Sequence, residues 1–278
     1  QSHRRIVMNI TKLVDQIRSK QSFLCVGLDT DIQKMPAHLS NDTTGIFDFN
    51  KAIIDATHDL AVAYKINTAF YEALGVAGYQ ALEQTVAYLK KHYPDQFVIA
   101  DAKRGDIGNT STQYAKAFFE AMDFDAVTVA PYMGRDSVEP FLQFEGKYAI
   151  LLALTSNHGA FDFQTLSDVE GQKLYEHVIR TSQSWTHADR LMYVLGATKT
   201  DHLAAIRKEL PKAFFLVPGV GAQGGNLEAV YQAAANDDVG LLVNASRSII
   251  FADSGKEFAL SAREAAQVLQ QQMKALLC

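Results

Sequence analysis

The sequence predicts an α/β protein folded as one (β/α)8 barrel, the TIM-barrel architecture, and three observations lead to this class. Short apolar runs rich in β-branched and aromatic residues recur along the chain, each followed by a stretch with helical periodicity. Eight such strand–helix alternations in roughly 250 residues are typical of this barrel. The runs are continuously apolar rather than alternating, which indicates parallel strands that are buried on both faces.

The eight apolar runs are the predicted strands. A doubly wound open sheet, the other α/β class considered, more often has about five to seven strands and a phosphate loop near its start. The predicted strands are FLCVGLD (23–29), AVAYKIN (61–67), FVIADAK (97–103), AVTVAP (126–131), YAILLALT (148–155), LMYVLGA (191–197), FFLVPGV (214–220) and GLLVNAS (240–246).

Helical periodicity fills the intervals between these strands. The clearest predicted helices are 68–92, which contains two glycines and could form two pieces, 109–122, 227–235 and 256–277. A further helix predicted around 10–20 would cover the bottom of the barrel, so that residues 1–22 form a tail and a covering helix. QSHRR at the start precedes no apolar segment and is not expected to be a secretory signal. No linker or low-complexity tract interrupts the chain, and we expect residues 1–278 to form a single domain.

Composition narrows the class of function. The 278 residues are 48% hydrophobic and 21% charged, as is usual for a globular protein. The net charge of -5, without a stripe of Lys and Arg, argues against a nucleic-acid partner. The longest apolar runs are too short for a membrane span. Cys25 in an apolar run and Cys278 at the end of the sequence give no disulfide framework, so we expect a cytoplasmic protein.

Charged residues follow the predicted strands at the ends where barrel enzymes carry their active sites. Asp29 ends the first strand, Lys65 lies near the end of the second, and the third ends in Asp101 and Lys103, with Asp106 just beyond. The two-residue period of a strand predicts that Asp101 and Lys103 point to the same side. One Lys–Asp pair could be purely structural. Two lysines and three aspartates at one barrel mouth favour chemistry, because such an array perturbs every pKa within it.

A glycine-rich loop, PGVGAQGG, follows the seventh strand. It contains Gly219-x-Gly221-x-x-Gly224, which matches the dinucleotide fingerprint, but that fingerprint follows a first strand and needs a later acidic residue for the ribose. A structural turn is one alternative. A phosphate cradle is the better interpretation, because barrels commonly bind phosphate after strands seven and eight. The side chains of Gln223 and Arg247 would add donors. The histidines have no H-x-x-x-H or H-x-x-E spacing, so the sequence predicts no metal site.

Taken together, six segments resemble one family. LCVGLD (24–29), AYKIN (63–67), ADAKRGDIGNT (100–110), LTS (154–156), PGVGAQGG (218–225) and the late Arg247 resemble the orotidine 5′-phosphate decarboxylases, in particular the longer bacterial subgroup with a PGVGAQGG phosphate loop. The resemblance implies a TIM barrel that decarboxylates orotidine 5′-monophosphate to UMP in de novo pyrimidine biosynthesis. It also implies that no cofactor or metal takes part.

The resemblance further implies a role for each matching residue. Lys103 would stabilise and protonate the C6 carbanion, within a catalytic tetrad completed by Lys65, Asp101 and Asp106. The implied substrate-binding residues are Asp29 for the ribose hydroxyls, Ser156 facing the pyrimidine, Pro218, Gln223 and Arg247 at the phosphate, and Ile107 and Thr110. In the family, the segment of Asp106, Ile107 and Thr110 reaches into the site of the partner subunit, which implies a homodimer.

Two alternatives remain open from the sequence. A metal-dependent sugar-phosphate decarboxylase or aldolase of the same barrel superfamily could reuse D-x-K-x-x-D. It would need an extra carboxylate as a metal ligand, where the first strand offers Asp29 alone. A phosphate-binding barrel without chemistry is the second alternative, and the presence of every expected charged residue counts against it.

Overall fold

Eight parallel strands form a closed barrel, which confirms the predicted fold class. The computed structural model describes residues 7–197, 200–220 and 226–278. Each strand pairs with the next along the chain, and the eighth pairs with the first. The strands are β1 (Leu24–Gly27), β2 (Ala63–Asn67), β3 (Phe97–Arg104), β4 (Ala126–Val129), β5 (Tyr148–Leu154), β6 (Leu191–Leu195), β7 (Phe215–Val217) and β8 (Leu241–Ala245).

Helices lie between the strands along the chain, and the predicted helix 68–92 is two helices. The second piece begins at Gly75, whose φ of +66° is a backbone angle that glycine adopts without steric cost. The helices are α1 (Ile10–Lys20), α2 (Thr43–Thr57), α3 (Ala69–Glu72), α4 (Gly75–His92), α5 (Gly108–Lys116), α6 (Arg135–Leu142), α7 (Ala160–Phe163), α8 (Leu174–Gln183), α9 (Thr200–Glu209), α10 (Leu227–Ala234), α11 (Arg247–Ile250) and α12 (Phe258–Leu277). A π-helical turn, Ala117–Ala121, extends α5.

Helix α1 lies against the amino ends of the strands, opposite the predicted mouth. The side chain of Asn9 accepts a hydrogen bond from the backbone N–H of Lys12 and so caps the helix. Leu13 and Ile17 are fully buried on one face. The backbone N–H of Ile10 donates to the hydroxyl of Tyr148, the first residue of β5, at 3.1 Å. This end of the barrel is therefore closed by packing, and the opposite end is left for a site.

The core joins the buried residues of the strands to those on the inner faces of the surrounding helices, and their side chains have almost no exposed surface. Because both faces of each strand are covered, the apolar runs are continuous in the sequence. No helix in the described ranges is long and apolar enough to cross a membrane.

Candidate active site

Four charged side chains form an alternating row at the carboxyl ends of β1, β2 and β3. The Nζ atom of Lys65 lies 3.0 Å from Oδ2 of Asp101 and 4.0 Å from Oδ1 of Asp29. The Nζ atom of Lys103 lies 2.7 Å from Oδ1 of Asp101. The order is Asp29, Lys65, Asp101, Lys103, so each neighbouring pair has opposite charge. The structure thus brings together four of the charged residues that the sequence singled out.

Burial and charge act against each other on this row. Burial raises the pKa of Asp101, but the ammonium groups of Lys65 and Lys103 outweigh it and hold that pKa well below its ordinary value. Burial lowers the pKa of Lys65, and the carboxylates of Asp101 and Asp29 outweigh it and raise that pKa. Both side chains therefore stay ionised at neutral pH. The row presents fixed charges before any ligand arrives.

The backbone of β3 is irregular at Lys103, so the contact between Lys103 and Asp101 does not arise from the regular two-residue period of a strand. The pairing of β3 with β4 shifts register between Ala100 and Arg104, and Lys103 adopts φ of +47°. A non-glycine residue in this region costs about 1–3 kcal/mol and needs support from its surroundings. Asp101 and Lys103 lie together, as the sequence predicted. The regular two-residue strand period on which that prediction relied does not hold at Lys103.

Thr128 on β4 supports the irregular backbone, a role that the sequence did not predict. Its hydroxyl accepts a hydrogen bond from the backbone N–H of Lys103 at 2.9 Å and donates to Oδ1 of Asp101 at 2.9 Å. One buried hydroxyl thus fixes both the backbone of the lysine and the carboxylate that the lysine contacts. A threonine within the apolar run AVTVAP gives no signal of this role, because threonine is common in strands.

A buried polar network holds the segment that carries Asp29. The hydroxyl of Tyr71 donates to the backbone carbonyl of Leu28 at 3.0 Å and accepts from Nδ2 of Asn50 at 2.8 Å. Asn50 also donates to Thr85 at 3.0 Å and accepts from the hydroxyl of Thr30 at 2.6 Å. Asn50 is fully buried, so each of these bonds satisfies a group that water cannot reach. The network was also missed, since its members lie far apart in the sequence.

Two adjoining cavities open on either side of the charged row. The first, of about 200 Å³, is polar and includes Asp29, Gly219, Ser246 and Arg247 in its lining. Gly27 on β1 lies against Ser246 of this cavity, since a Cβ atom at position 27 would come within 1.8 Å of the serine hydroxyl oxygen and force that side chain to move. This cavity has the donors and the cation that suit a phosphorylated sugar.

The second cavity, of about 230 Å³, is lined partly by apolar side chains. Leu152, Val194 and Leu216 supply the apolar surface, and Lys103 and Ser156 supply polar groups. It suits a flat ring with a few polar atoms. Both cavities include Lys65, Asp101 and Pro218 in their lining, so the charged row lies where they meet.

The turn with Ser156 is held from two sides. Gly196 lies against it, since a Cβ atom at that position would come within 3.1 Å of Cα of Ser156. The side chain of Gln164 accepts from the backbone N–H of Thr155 at 2.8 Å and donates to the threonine hydroxyl at 2.8 Å. Arg247 begins α11 directly after β8. Gln223 was predicted as a phosphate ligand and lies outside the described residues.

Asp106, Ile107 and Thr110 follow the charged row in the sequence but lie outside the lining of both cavities. The carboxylate of Asp106 accepts from the backbone N–H of Ile107 at 2.8 Å, and the side chain of Ile107 is 57% exposed. Thr110 is exposed on α5. The structure does not place these three among the residues that line either cavity of this chain.

No group of three or more His, Cys, Asp or Glu side chains suited to a metal ion occurs within the ranges 7–197, 200–220 and 226–278. The two carboxylates of the row, those of Asp29 and Asp101, are each paired with lysine ammonium groups. The charged groups of the row therefore form an array of lysine–aspartate ion pairs.

The chain is similar to known proteins over almost its whole length. The model of the orotidine 5′-phosphate decarboxylase / HUMPS family matches residues 22–262. The chain belongs to this family. Among its relatives, the orotidine 5′-phosphate decarboxylase of Flavobacterium johnsoniae is 59% identical over 270 residues, which cover 97% of this chain and 98% of the relative. The protein of the same name from Phocaeicola vulgatus is 57% identical over 271 residues, covering 98% and 100% of the two chains.

Solved structures of the family share the same barrel. The structure of Leishmania donovani OMP decarboxylase superposes with a TM-score of 0.82 at 34% identity, over 97% of this chain and 98% of that chain. The relatives that match nearly the whole chain are named orotidine 5′-phosphate decarboxylases, which are carboxy-lyases, and this protein is an enzyme of that class.

Proposed function

We propose that this enzyme decarboxylates orotidine 5′-monophosphate to UMP and CO2, a step of pyrimidine biosynthesis, with no metal ion or organic cofactor. The observation that carries the proposal is the row of alternating charges where a polar cavity meets a partly apolar one. A nucleotide has a phosphate at one end and a flat base at the other. Bound across both cavities, it would place its base at Lys103.

The chemical difficulty is the electron pair left at C6. When the bond between C6 and the carboxylate breaks, CO2 departs and the pair stays on a ring carbon with no ordinary electron sink. The rate enhancement this demands is in the upper range for enzymes, on the order of 20 kcal/mol of barrier reduction. A preorganised ammonium group beside the developing carbanion stabilises it strongly where water is excluded.

Lys103 is the group proposed for this role. Its side chain is 50% exposed toward the mouth, so a bound ligand can reach the ammonium group. Lys103 then transfers one proton to C6 and regains a proton from solvent after the product leaves. Asp101 orients the ammonium group and lies near the departing carboxylate, and Lys65 keeps Asp101 ionised. We assign Asp29 to the ribose hydroxyls.

The remaining predicted residues are assigned to binding. Ser156 faces the pyrimidine in the second cavity, and Arg247, with Pro218 and Gln223, holds the phosphate at the first. Interactions with the phosphate, remote from C6, would hold the reacting ring in place, so that binding energy serves the chemical step.

A homodimer completes the site in this proposal. Asp106, Ile107 and Thr110 line neither cavity of their own chain, and exposed apolar side chains follow the neighbouring strands β3 and β4. Tyr132, three residues after the end of β4, is 89% exposed, and β4 pairs with the strand that precedes Ile107. A second barrel docked here would cover these apolar groups and receive Asp106 in its own site.

The experiment is to follow the loss of orotidylate absorbance on adding purified protein in buffer treated with EDTA. We expect full turnover in EDTA and no stimulation by Mg²⁺. Folded protein that leaves the absorbance unchanged would contradict the proposal. Activity that EDTA abolishes and Mg²⁺ restores would favour the metal-dependent sugar-phosphate alternative.

A further inference from the structure

Arg104, the residue after Lys103, has a guanidinium group that lies among three elements at the barrel mouth. Its NH1 atom donates to the backbone carbonyl of Ala102 at 2.9 Å, and its NH2 atom pairs with Oε1 of Glu72 on α3. The guanidinium carbon lies 5.4 Å from the ring centre of Tyr114 and 5.3 Å from that of Phe118. The Arg104 side chain therefore joins β3 to α3, and also to α5 with its π-helical extension.

The bond to Ala102 spans the backbone of Lys103. Ala102 and Arg104 flank Lys103 in the sequence, and the guanidinium of Arg104 donates a hydrogen bond to the backbone carbonyl of Ala102. The backbone carbonyl of Arg104 also accepts from the N–H of Ala130 beyond β4 at 2.8 Å. Since φ of +47° is unfavourable for lysine, these bonds and the bond from its own N–H to Thr128 are what hold it there.

Glu72 is itself held in place. Its carboxylate accepts from the hydroxyl of Thr68 at 2.8 Å and from the hydroxyl of Tyr79 at 2.7 Å, in addition to Arg104. Glu72 and Arg104 are partly buried, with 29% and 18% of their side-chain surfaces exposed. A carboxylate fixed by two hydroxyls is a rigid anchor for a planar guanidinium.

The geometry points to Arg104 and Glu72 as positioning residues for decarboxylation, a clamp that holds Lys103 in its left-handed conformation with Nζ aimed at the substrate. The inference rests on the proposed function, since Lys103 is the proton donor there. Neither residue touches the reacting atoms; the clamp acts through the backbone of the lysine.

The test compares Arg104→Met, Arg104→Lys and Glu72→Gln with the parent enzyme. A displacement of about 1 Å at a reacting group costs on the order of 10²-fold in rate, so we expect kcat of Arg104→Met to fall by about that factor. Affinity for UMP, measured by calorimetry, should change by less than about threefold, because the lost interaction acts in the transition state. Glu72→Gln should lower kcat in the same direction by a smaller factor.

Arg104→Lys separates positioning from a merely structural role. A lysine keeps the charge opposite Glu72 but lacks the planar fork that reaches Glu72 and Ala102 together. We expect its melting temperature to be close to that of the parent and its kcat to stay lowered by about tenfold or more. Arg263→Met is the matched control, because it removes a guanidinium bound to Asp59 at 2.7 Å, away from the charged row, and should leave kcat unchanged.

Hydrogen exchange of the Lys103 amide gives a readout that does not depend on activity. Faster exchange is expected at this amide in Arg104→Met, since the amide bonds to Thr128 only while the backbone holds its shape. A folded Glu72→Gln or Arg104→Met enzyme with parental kcat and parental exchange would overturn the clamp. Parent enzyme that does not decarboxylate would instead overturn the proposed function, and faster exchange in the variants would then still support the clamp.

Discussion

The two lysines of the charged row differ in exposure, and this difference suits different roles. Lys65 is buried between two carboxylates, which hold it charged and in place. Lys103 is half exposed and contacts Asp101 from the cavity side. An ammonium group that must give up a proton needs access to the substrate. An ammonium group that only keeps an aspartate ionised does not.

Replacing Lys103 with Ala tests this division at one residue. We expect kcat to fall by about 10⁴-fold or more, because both the proton and the charge that stabilises the carbanion are lost. Binding of UMP, measured by calorimetry, should persist, since the cavities keep their other polar groups. A variant that retains as much as a tenth of parental kcat would show that Lys103 is not the proton donor.

The depressed pKa of Asp101 predicts how its contribution to stability depends on pH. A carboxyl group whose pKa is lower in the folded state stabilises the fold above its unfolded pKa of about 3.9 and loses that effect as pH falls toward the folded value. Asp101→Asn leaves two ammonium groups without this partner, so the free energy of unfolding should fall by on the order of 3 kcal/mol at pH 7.

Urea unfolding of both proteins at pH 7, 5 and 3 measures the effect of Asp101. The difference between parent and variant should be equal at pH 7 and pH 5 and should narrow at pH 3. Asp237→Asn, at an exposed turn, is the control and should show no such dependence. A difference that persists unchanged to pH 3 would mean that Asp101 is not held ionised by its neighbours.

At the scale of the elements, the sequence predicted regular structure well and irregular structure poorly. Every predicted strand is present, because continuous apolar runs report burial on both faces directly. The bulge at Lys103 was not predictable from the spacing alone, since it depends on how β3 pairs with β4. The hydroxyl of Thr128 and the amide of Asn50 act across elements, and one sequence carries no signal for such contacts.

Asn50 gives a prediction about the elements that it joins. Asn50→Ala would remove one buried hydrogen bond from each of Thr30, Tyr71 and Thr85, and each lost bond costs about 0.5–1.5 kcal/mol. We therefore expect the free energy of unfolding, from urea titration, to fall by about 2–4 kcal/mol in total. KM for orotidylate should rise, because the same network holds the segment of Asp29.

The control for Asn50 is Gln143→Ala, which removes an exposed amide at the end of α6. It should change neither stability nor KM. Parental stability in Asn50→Ala would show that the three partners find other bonds or water, and that the network does not hold the first strand end.

At the scale of the whole molecule, the two ends of the barrel differ in kind. At the amino end, α1 packs apolar side chains and donates a hydrogen bond to Tyr148. At the carboxyl end, the charged row lies between two cavities. Apolar side chains such as those of Ile107 and Tyr132 are exposed at the same end. Exposed apolar groups next to a polar site are typical of a surface that another protein covers. This asymmetry favours a dimer joined at the mouth.

Subunit complementation tests whether the two sites are shared. Lys103→Ala and Asp106→Ala should each be nearly inactive alone. In a mixed dimer, one site carries both changes and the other carries neither, since each site would combine Lys103 of one subunit with Asp106 of the other. Random exchange makes about half of the dimers mixed, so about a quarter of parental activity should return with twofold symmetry. Each variant taken alone through the same exchange should recover nothing. If the mixture also recovers nothing after verified exchange, Asp106 serves its own subunit and the shared site is wrong.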